Sequence, residues 1–366
     1  MADERVRIAM RNWCPRFVVR GVDYGDVLRL TEAIEAWEDW LPRWQELGME
    51  WEVLAGEWES SGRAASAGSA WQRAALGFHF ARFLSVEDEQ AYLAASERAV
   101  AAHQHALRLL DPSAERIETA LGPARMAGVL RRPAGVQQPP LVILVPGLDS
   151  AKEEFLAWTE VFLARGLATL AIDGPGQGEG GYGEGRMRPD YEAAISAFLD
   201  ALQRRRDLDL DRVGLAGVSL GGYYAPRAAA FEPRVRAVVA IGGPYDVAEC
   251  WDRFPPMTRS KVRYHLGCVT ESEAVERLRA FNLREAAPAL ERPLLIVFGK
   301  QDQLIPYGQA ERLAAEAPNA QLLMFETGNH CCTNLFWRHT PLEADWLAEH
   351  LSRTEPPGRR LASQRG

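Results

Sequence analysis

Two hydrophobic periodicities divide this chain. Up to about residue 113, large apolar residues recur at helical spacing. Trp37, Trp40 and Trp44 stand at i, i+3 and i+7, so they share one helix face. Ala64–Leu84 and Glu87–Leu110 predict two further long helices, the first carrying Trp71, Phe78 and Phe83. From Ala114 the period shortens. Ile117–Ala120 and Ala124–Leu130 predict two antiparallel strands. After a Pro/Gln turn, the apolar runs Leu141–Val145 and Val213–Val218 predict buried strands, and Leu167–Ile172, Val235–Ile241, Pro293–Phe298 and Gln321–Phe325 predict further strands. Helical patterns over Lys152–Arg165, Pro189–Arg206, Gly222–Ala230 and Leu342–Leu351 interleave with them. Such alternation predicts an α/β fold, a mostly parallel sheet covered by helices on both faces. Residues 245–290 interrupt it at the carboxyl end of the sheet, where such folds bind ligands, and predict a lid-like insertion. The expected organisation is a helical cap over 1–113, a core over 114–354 and a disordered Pro/Arg/Gly-rich tail over 355–366.

The chemistry is concentrated where strands end. Gly217-Val218-Ser219-Leu220-Gly221 follows the Val213–Val218 run and opens a small-residue helix, which is the strand–turn–helix setting of a G-x-S-x-G nucleophile elbow. The incidental reading is a glycine-rich connection that happens to hold a serine. A serine hydroxyl is a weak nucleophile, so it needs a base, and the base needs an orienting acid. Asp302 follows the strand ending at Phe298, and His330 follows the strand ending at Phe325. Taken singly, Asp302 reads equally as a loop cap and His330 as a packed loop residue. Together they stand in the order serine, acid, histidine, each just beyond a strand. The oxyanion donors expected are the backbone N–H groups of Leu220 and of Leu148, in the loop after Val145. The remaining histidines read as structural, with His79 and His265 as the two that could face a pocket.

Composition narrows the setting. The 366 residues are 47% hydrophobic and 25% charged with net charge −8, and no basic tract points to nucleic acid. No apolar run reaches the ~20 residues of a membrane span, and Met1-Ala-Asp-Glu-Arg5 lacks a signal-peptide layout. Five cysteines without metal spacing predict reduced thiols, a cytoplasmic setting and no metal or organic cofactor; Cys331-Cys332 are expected to pack in core or pocket. Seven of eleven tryptophans precede residue 113. Helix-on-helix packing accounts for any one of them; a few roofing an apolar pocket is the functional alternative.

Over Ala114–Leu351 the chain resembles the α/β-hydrolase superfamily, with its eight-stranded sheet. More narrowly it resembles the carbon–carbon bond hydrolases typified by 2,6-dihydroxypseudooxynicotine hydrolase, which carry an N-terminal helical cap. The residues that carry this are Pro146-Gly-Leu-Asp-Ser-Ala-Lys-Glu-Glu154, Gly217–Gly222 and His330-Cys-Cys-Thr-Asn334. The resemblance implies a Ser219–His330–Asp302 triad, a homodimer, and a further pocket carboxylate after the sixth strand, for which Glu249 is the best match among Asp246, Glu249 and Asp252. It implies hydrolysis of a C–C bond beside a carbonyl in an aromatic ketone or β-dicarbonyl-like substrate. A carboxylesterase, thioesterase or lactonase could use the same triad, and a hydrolase-like protein that only binds a small aromatic or acyl ligand is the non-enzymatic alternative.

Overall fold

The computed structural model describes residues 3–181 and 185–352. The expected disordered tail, 355–366, lies outside the described residues. Helices α1 (Glu4–Arg20), α2 (Tyr24–Ala33), α3 (Trp40–Ser60), α4 (Ala64–Ala81) and α5 (Glu89–Leu110) precede the strands. The α1 ends obey local chemistry: the Asp3 carboxylate accepts from Arg5 N–H, and Gly21, at φ 111°, returns its N–H to Phe17 and Val18.

The strands are β1 (Glu115–Leu121), β2 (Ala124–Arg131), β3 (Pro140–Val145), β4 (Ala168–Asp173), β5 (Asp209–Val218), β6 (Val235–Ile241), β7 (Leu294–Gly299) and β8 (Ala320–Phe325). They form one sheet in the order β1-β2-β4-β3-β5-β6-β7-β8. The pairs β1–β2 and β2–β4 are antiparallel and the rest parallel. The other helices are α6 (Leu156–Leu163), α7 (Glu192–Leu202), α8 (Gly221–Phe231), α9 (Pro256–Leu266), α10 (Glu271–Leu278), α11 (Ala286–Ala289), α12 (Gly308–Glu316) and α13 (Phe336–His350).

Period-2 alternation sorts the central strands between two faces. Leu141, Ile143 and Val145 of β3 join a cluster that runs through Tyr223 and Tyr224 of α8 to Trp13, Trp40 and Trp44. Val142 and Leu144 join a second cluster with Phe162 of α6 and Leu347 of α13. The aromatics of the first helices thus share a continuous apolar cluster with one face of the sheet. Trp40 Nε1 donates to the Phe80 carbonyl at 2.9 Å, and the Phe17 ring lies 4.7 Å from that of Phe80 and 5.1 Å from that of Trp44.

Beyond shifts of a few residues at other helix and strand ends, three elements differ from expectation. The helix expected over Lys152–Arg165 is a 3-10 turn, Lys152–Glu154, followed by α6; Lys152, Glu153 and Glu154 are all buried in ion pairs, which a continuous surface helix would not allow. Helix α13 starts at Phe336 rather than Leu342 and continues through Pro341. Helix α12, between β7 and β8, was not anticipated. No helix among the described residues is long and apolar enough to cross a membrane.

Candidate active site

Ser219 sits between β5 and α8 with φ 57°, the left-handed region that costs a non-glycine residue about 1–2 kcal/mol. Its N–H donates to the Ile241 carbonyl at 2.8 Å, which holds the turn against β6. The flanking glycines are obligatory. A Cβ on Gly217 would stand 2.0 Å from the Gly221 carbonyl oxygen, and one on Gly221 would stand 2.2 Å from that of Val145.

Asp302 and His330 arrive from the loops after β7 and β8. A Cβ on Gly299 would meet the Gly328 carbonyl at 2.2 Å, so glycine lets those two loops touch. Asp302 Oδ1 accepts from the N–H groups of Leu304 (2.8 Å) and Ile305 (2.9 Å). Its Oδ2 is thereby aimed at His330 Nδ1, 2.7 Å away. His330 Nε2 lies 2.9 Å from Ser219 Oγ. Burial by itself would disfavour a charged His330, but the Asp302 carboxylate outweighs it and holds the imidazole pKa well above the usual histidine value.

The loop after β3 brings Gly147 beside Ser219; a Cβ there would lie 3.0 Å from Ser219 Cβ. Leu148 and Leu220 both line the cavity in front of the serine. Gln177, which sequence reading did not single out, braces this loop. Its Nε2 donates to the carbonyls of Pro146 (2.5 Å) and Gly147 (3.1 Å), while its Oε1 accepts from the Tyr191 hydroxyl (2.6 Å). Arg16 of α1 holds the same loop further on, donating to Asp149 (2.7 Å), Ser150 (3.0 Å) and Glu154 (2.8 and 3.0 Å).

The cavity at Ser219 and His330 encloses about 40 Å³. Its walls are mostly apolar and come from separate parts of the chain: Trp13 from α1, Met187, Val247 and Phe254, Val262 from α9, and Leu304 with Ile305. Of the early tryptophans, Trp13 reaches this wall, whereas Trp37, Trp40 and Trp44 serve helix packing. The 245–290 stretch contributes Val247, Phe254, Thr258 and Val262 to the cavity.

Glu249 is not brought to the site. It sits on the 3-10 turn Ala248–Arg253 with its side chain 45% exposed. Gln309 donates to it at 2.9 Å, and Arg312 and Arg284 lie 3.5 and 3.6 Å away. The expected pocket carboxylate is therefore a surface residue: Val247 faces the cavity, and the turn that follows carries Glu249 outward. Asp246 caps that turn, accepting from Ala248 N–H, and pairs with Arg284, so it does not supply the acid either. The acid that does line the cavity is Asp149.

His79 and His265 are fully buried, and neither lines the cavity. Cys331 and Cys332 are buried with φ of 56° and 51°, and His339 Nε2 meets the Cys332 carbonyl at 3.1 Å, packing the histidine loop from behind. One carboxylate group has the spacing of a cation site: Glu153, Asp173 and Glu179. The buried Lys152 ammonium occupies it, 2.5–2.7 Å from all three. Burial disfavours the Lys152 charge, but these acids more than offset it and raise its pKa.

The parallel sheet, the serine elbow and the loops gathered over it define an α/β-hydrolase enzyme. Within that class the chain belongs to the family described as esterase FrsA-like, which matches residues 36–352. It is 33% identical over 349 residues to 2,6-dihydropseudooxynicotine hydrolase of Paenarthrobacter nicotinovorans, spanning 93% of this chain and 92% of that one. A crystal structure of 2,6-dihydroxy-pseudo-oxynicotine hydrolase superimposes with a TM-score of 0.84 over 93% of this chain and 96% of that one. Hydrolase acrC of Aspergillus aculeatus is 37% identical over 210 residues, 51% of this chain and about half (49%) of that relative.

Proposed function

We propose that the chain is a serine hydrolase in which Ser219 is the nucleophile, His330 the general base and then acid, and Asp302 the residue that orients it. The observation that carries this is the hydrogen-bonded series Asp302–His330–Ser219 at 2.7 and 2.9 Å, built on a strained turn. Ser219 Oγ attacks a carbonyl carbon as His330 Nε2 takes its proton. The oxyanion turns to the N–H groups of Leu148 and Leu220, each such donor contributing roughly 3–4 kcal/mol to the rate. The leaving group departs with the proton from His330, and water activated by the same imidazole hydrolyses the acyl-enzyme.

The scissile bond we favour is a C–C bond beside the carbonyl of an aromatic ketone. Similarity over nearly the whole length to pseudooxynicotine hydrolase supports it, and the apolar wall of Trp13, Phe254 and Val262 suits an aromatic substrate and keeps water from a carbanionic leaving group. A second reading, hydrolysis of a simple ester, is favoured by the position of Glu249, because no second acid from that segment faces the cavity to protonate carbon. The test compares wild type and Ser219→Ala on p-nitrophenyl acetate and on an aryl 1,3-diketone. Turnover of the diketone that is lost in Ser219→Ala supports C–C hydrolysis. Brisk ester turnover with an inert diketone assigns an esterase. Equal turnover by Ser219→Ala removes the nucleophile assignment.

A further inference from the structure

Helix α9 carries Thr258, Lys261, Val262 and His265 at i, i+3, i+4 and i+7, so all four share one face. That face is buried, and Thr258 and Val262 line the cavity in front of Ser219. For an interior face its polar groups are poorly matched. The Thr258 hydroxyl makes no hydrogen bond, nor does either ring nitrogen of His265. Lys261, 0% exposed and set just behind Thr258 and Val262 rather than on the cavity wall itself, has a long contact from its Nζ to the Arg82 carbonyl at 3.4 Å and interacts with Tyr92, both with its hydroxyl and with its ring, whose centre lies 4.2 Å away.

Two other buried cations of this protein are treated differently. Lys152 meets three carboxylates and Arg16 meets two. Among the described residues, none places a carboxylate within ion-pair distance of Lys261. Asp149, the acid on the cavity wall, is held by Arg16 at 2.7 Å. A buried ammonium without a counter-charge is destabilising, because desolvation is not offset by a partner. The ring and hydroxyl of Tyr92 and the more distant charge of Asp149 offset part of this, and burial still lowers the Lys261 pKa. An arriving oxyanion would supply the missing partner, and the idle Thr258 hydroxyl is a donor at the cavity edge of the same face.

We infer that the α9 side of the cavity is a subsite for an anionic oxygen group of the substrate, such as a carboxylate remote from the scissile carbonyl, held by the Lys261 ammonium and the Thr258 hydroxyl. This rests on reading Ser219 as the nucleophile of the cavity. The substrate class is then an acyl compound with a reactive carbonyl at one end, an apolar middle against Trp13 and Val262, and a negative charge at the other end.

The test uses two p-nitrophenyl esters of like length, mono-p-nitrophenyl adipate and p-nitrophenyl hexanoate. Wild type is expected to prefer the adipate ester by tenfold or more in kcat/KM, chiefly through KM. In Lys261→Met, which keeps the side-chain length without charge, that ratio falls to about one or below; in Thr258→Val it falls several-fold. Thr258→Val decides the matter if Lys261→Met does not fold. No preference in wild type, or a preference that survives both substitutions, overturns the subsite. Calorimetric titration of Ser219→Ala with adipate monoanilide and with hexanoic anilide reads the subsite without turnover. Tighter binding of the carboxylated anilide, lost when Lys261→Met is added, supports the subsite even if the nucleophile assignment fails; equal binding of the two overturns it.

Discussion

Arg16 and Glu154 stand 138 residues apart and meet in a buried, two-pronged ion pair, at 3.0 and 2.8 Å. A third arm of the same guanidinium reaches Asp149, next to Leu148. The first helix of the chain is thereby tied to the loop that faces the nucleophile. Burial works against the Arg16 charge, but Asp149 and Glu154 prevail and raise its pKa further above its ordinary value. Arg16→Met leaves Asp149 without this guanidinium and Glu154 with a cation only at 4.0 Å, that of Arg20. Removing one member of a buried ion pair costs about 3–5 kcal/mol. Urea unfolding of Arg16→Met is expected to show a loss of that size, together with a lower kcat on p-nitrophenyl acetate as the Leu148 N–H loses its placement. A variant as stable as wild type would show that the pair is not what holds this loop.

The pH dependence follows from the sign of the His330 shift. His330 must be neutral to accept the Ser219 proton, and Asp302 raises its pKa above the ordinary 6.5. The acid limb of kcat/KM should therefore fall at a pH above 6.5, with activity increasing as pH rises through the limb. Asp302→Asn removes the charge that raises it, so the limb moves down while kcat drops by about ten-thousand-fold. The stability increment has the opposite sense. A raised folded pKa stabilises the protein fully below the unfolded value and loses that increment as pH rises through the folded one. A pH–rate profile whose acid limb stays in place in Asp302→Asn would contradict the pairing.

Ser219 pays for its position in backbone strain. Ser219→Gly relieves about 1–2 kcal/mol of left-handed strain and adds about 0.5–1 kcal/mol of unfolded-chain entropy. The variant should lose turnover and unfold at the same temperature as wild type or a few degrees higher. A marked fall in melting temperature would mean that the φ of 57° is not strained.

Glu249 is half-exposed, and its ion pairs with Arg312 and Arg284 are long. Exposed pairs contribute about 0–1 kcal/mol. Glu249→Gln is expected to keep ester and diketone rates within about twofold of wild type and to change stability by less than about 1 kcal/mol. Selective loss of diketone cleavage would instead place this carboxylate in the reaction.

Helix α9 and the Trp13 wall leave about 40 Å³ in front of Ser219, against the roughly 300–1,000 Å³ of pockets that enclose small molecules. Substrate entry therefore requires the cavity to widen, and the parting of these walls is the expected way. Quenching of tryptophan emission by acrylamide should increase in Ser219→Ala while substrate is being admitted, and unchanged quenching at saturating substrate would argue for a cavity that widens by side-chain rotation alone.

Much of this protein is written locally in its sequence. The apolar runs of β3 to β7 are continuous because those strands are covered on both faces, and continuity needs no partner to be read. Ser219 is legible because the glycines its turn requires are written on either side of it, although the atom that excludes a side chain at Gly221 is the distant Val145 carbonyl. Asp302 and His330 are legible because strand order and loop position are properties of the chain itself. Other features depend on which distant surfaces meet. Glu249 and Val247 are two residues apart, and only the packing of their turn against Gln309 and Arg312 sends one outward and leaves the other in the cavity. Arg16, Gln177 and Lys261 carry no local signal, since an arginine on a helix or a lysine on a lid reads as a solvated charge until tertiary burial removes the water. The sequence alone determined the sheet, the elbow and the order of the reactive groups, because short-range sterics and periodicity dictate them. The tertiary structure decided which charges are buried and what they face, because desolvation and ion pairing are set by residues brought together from tens to more than a hundred positions apart.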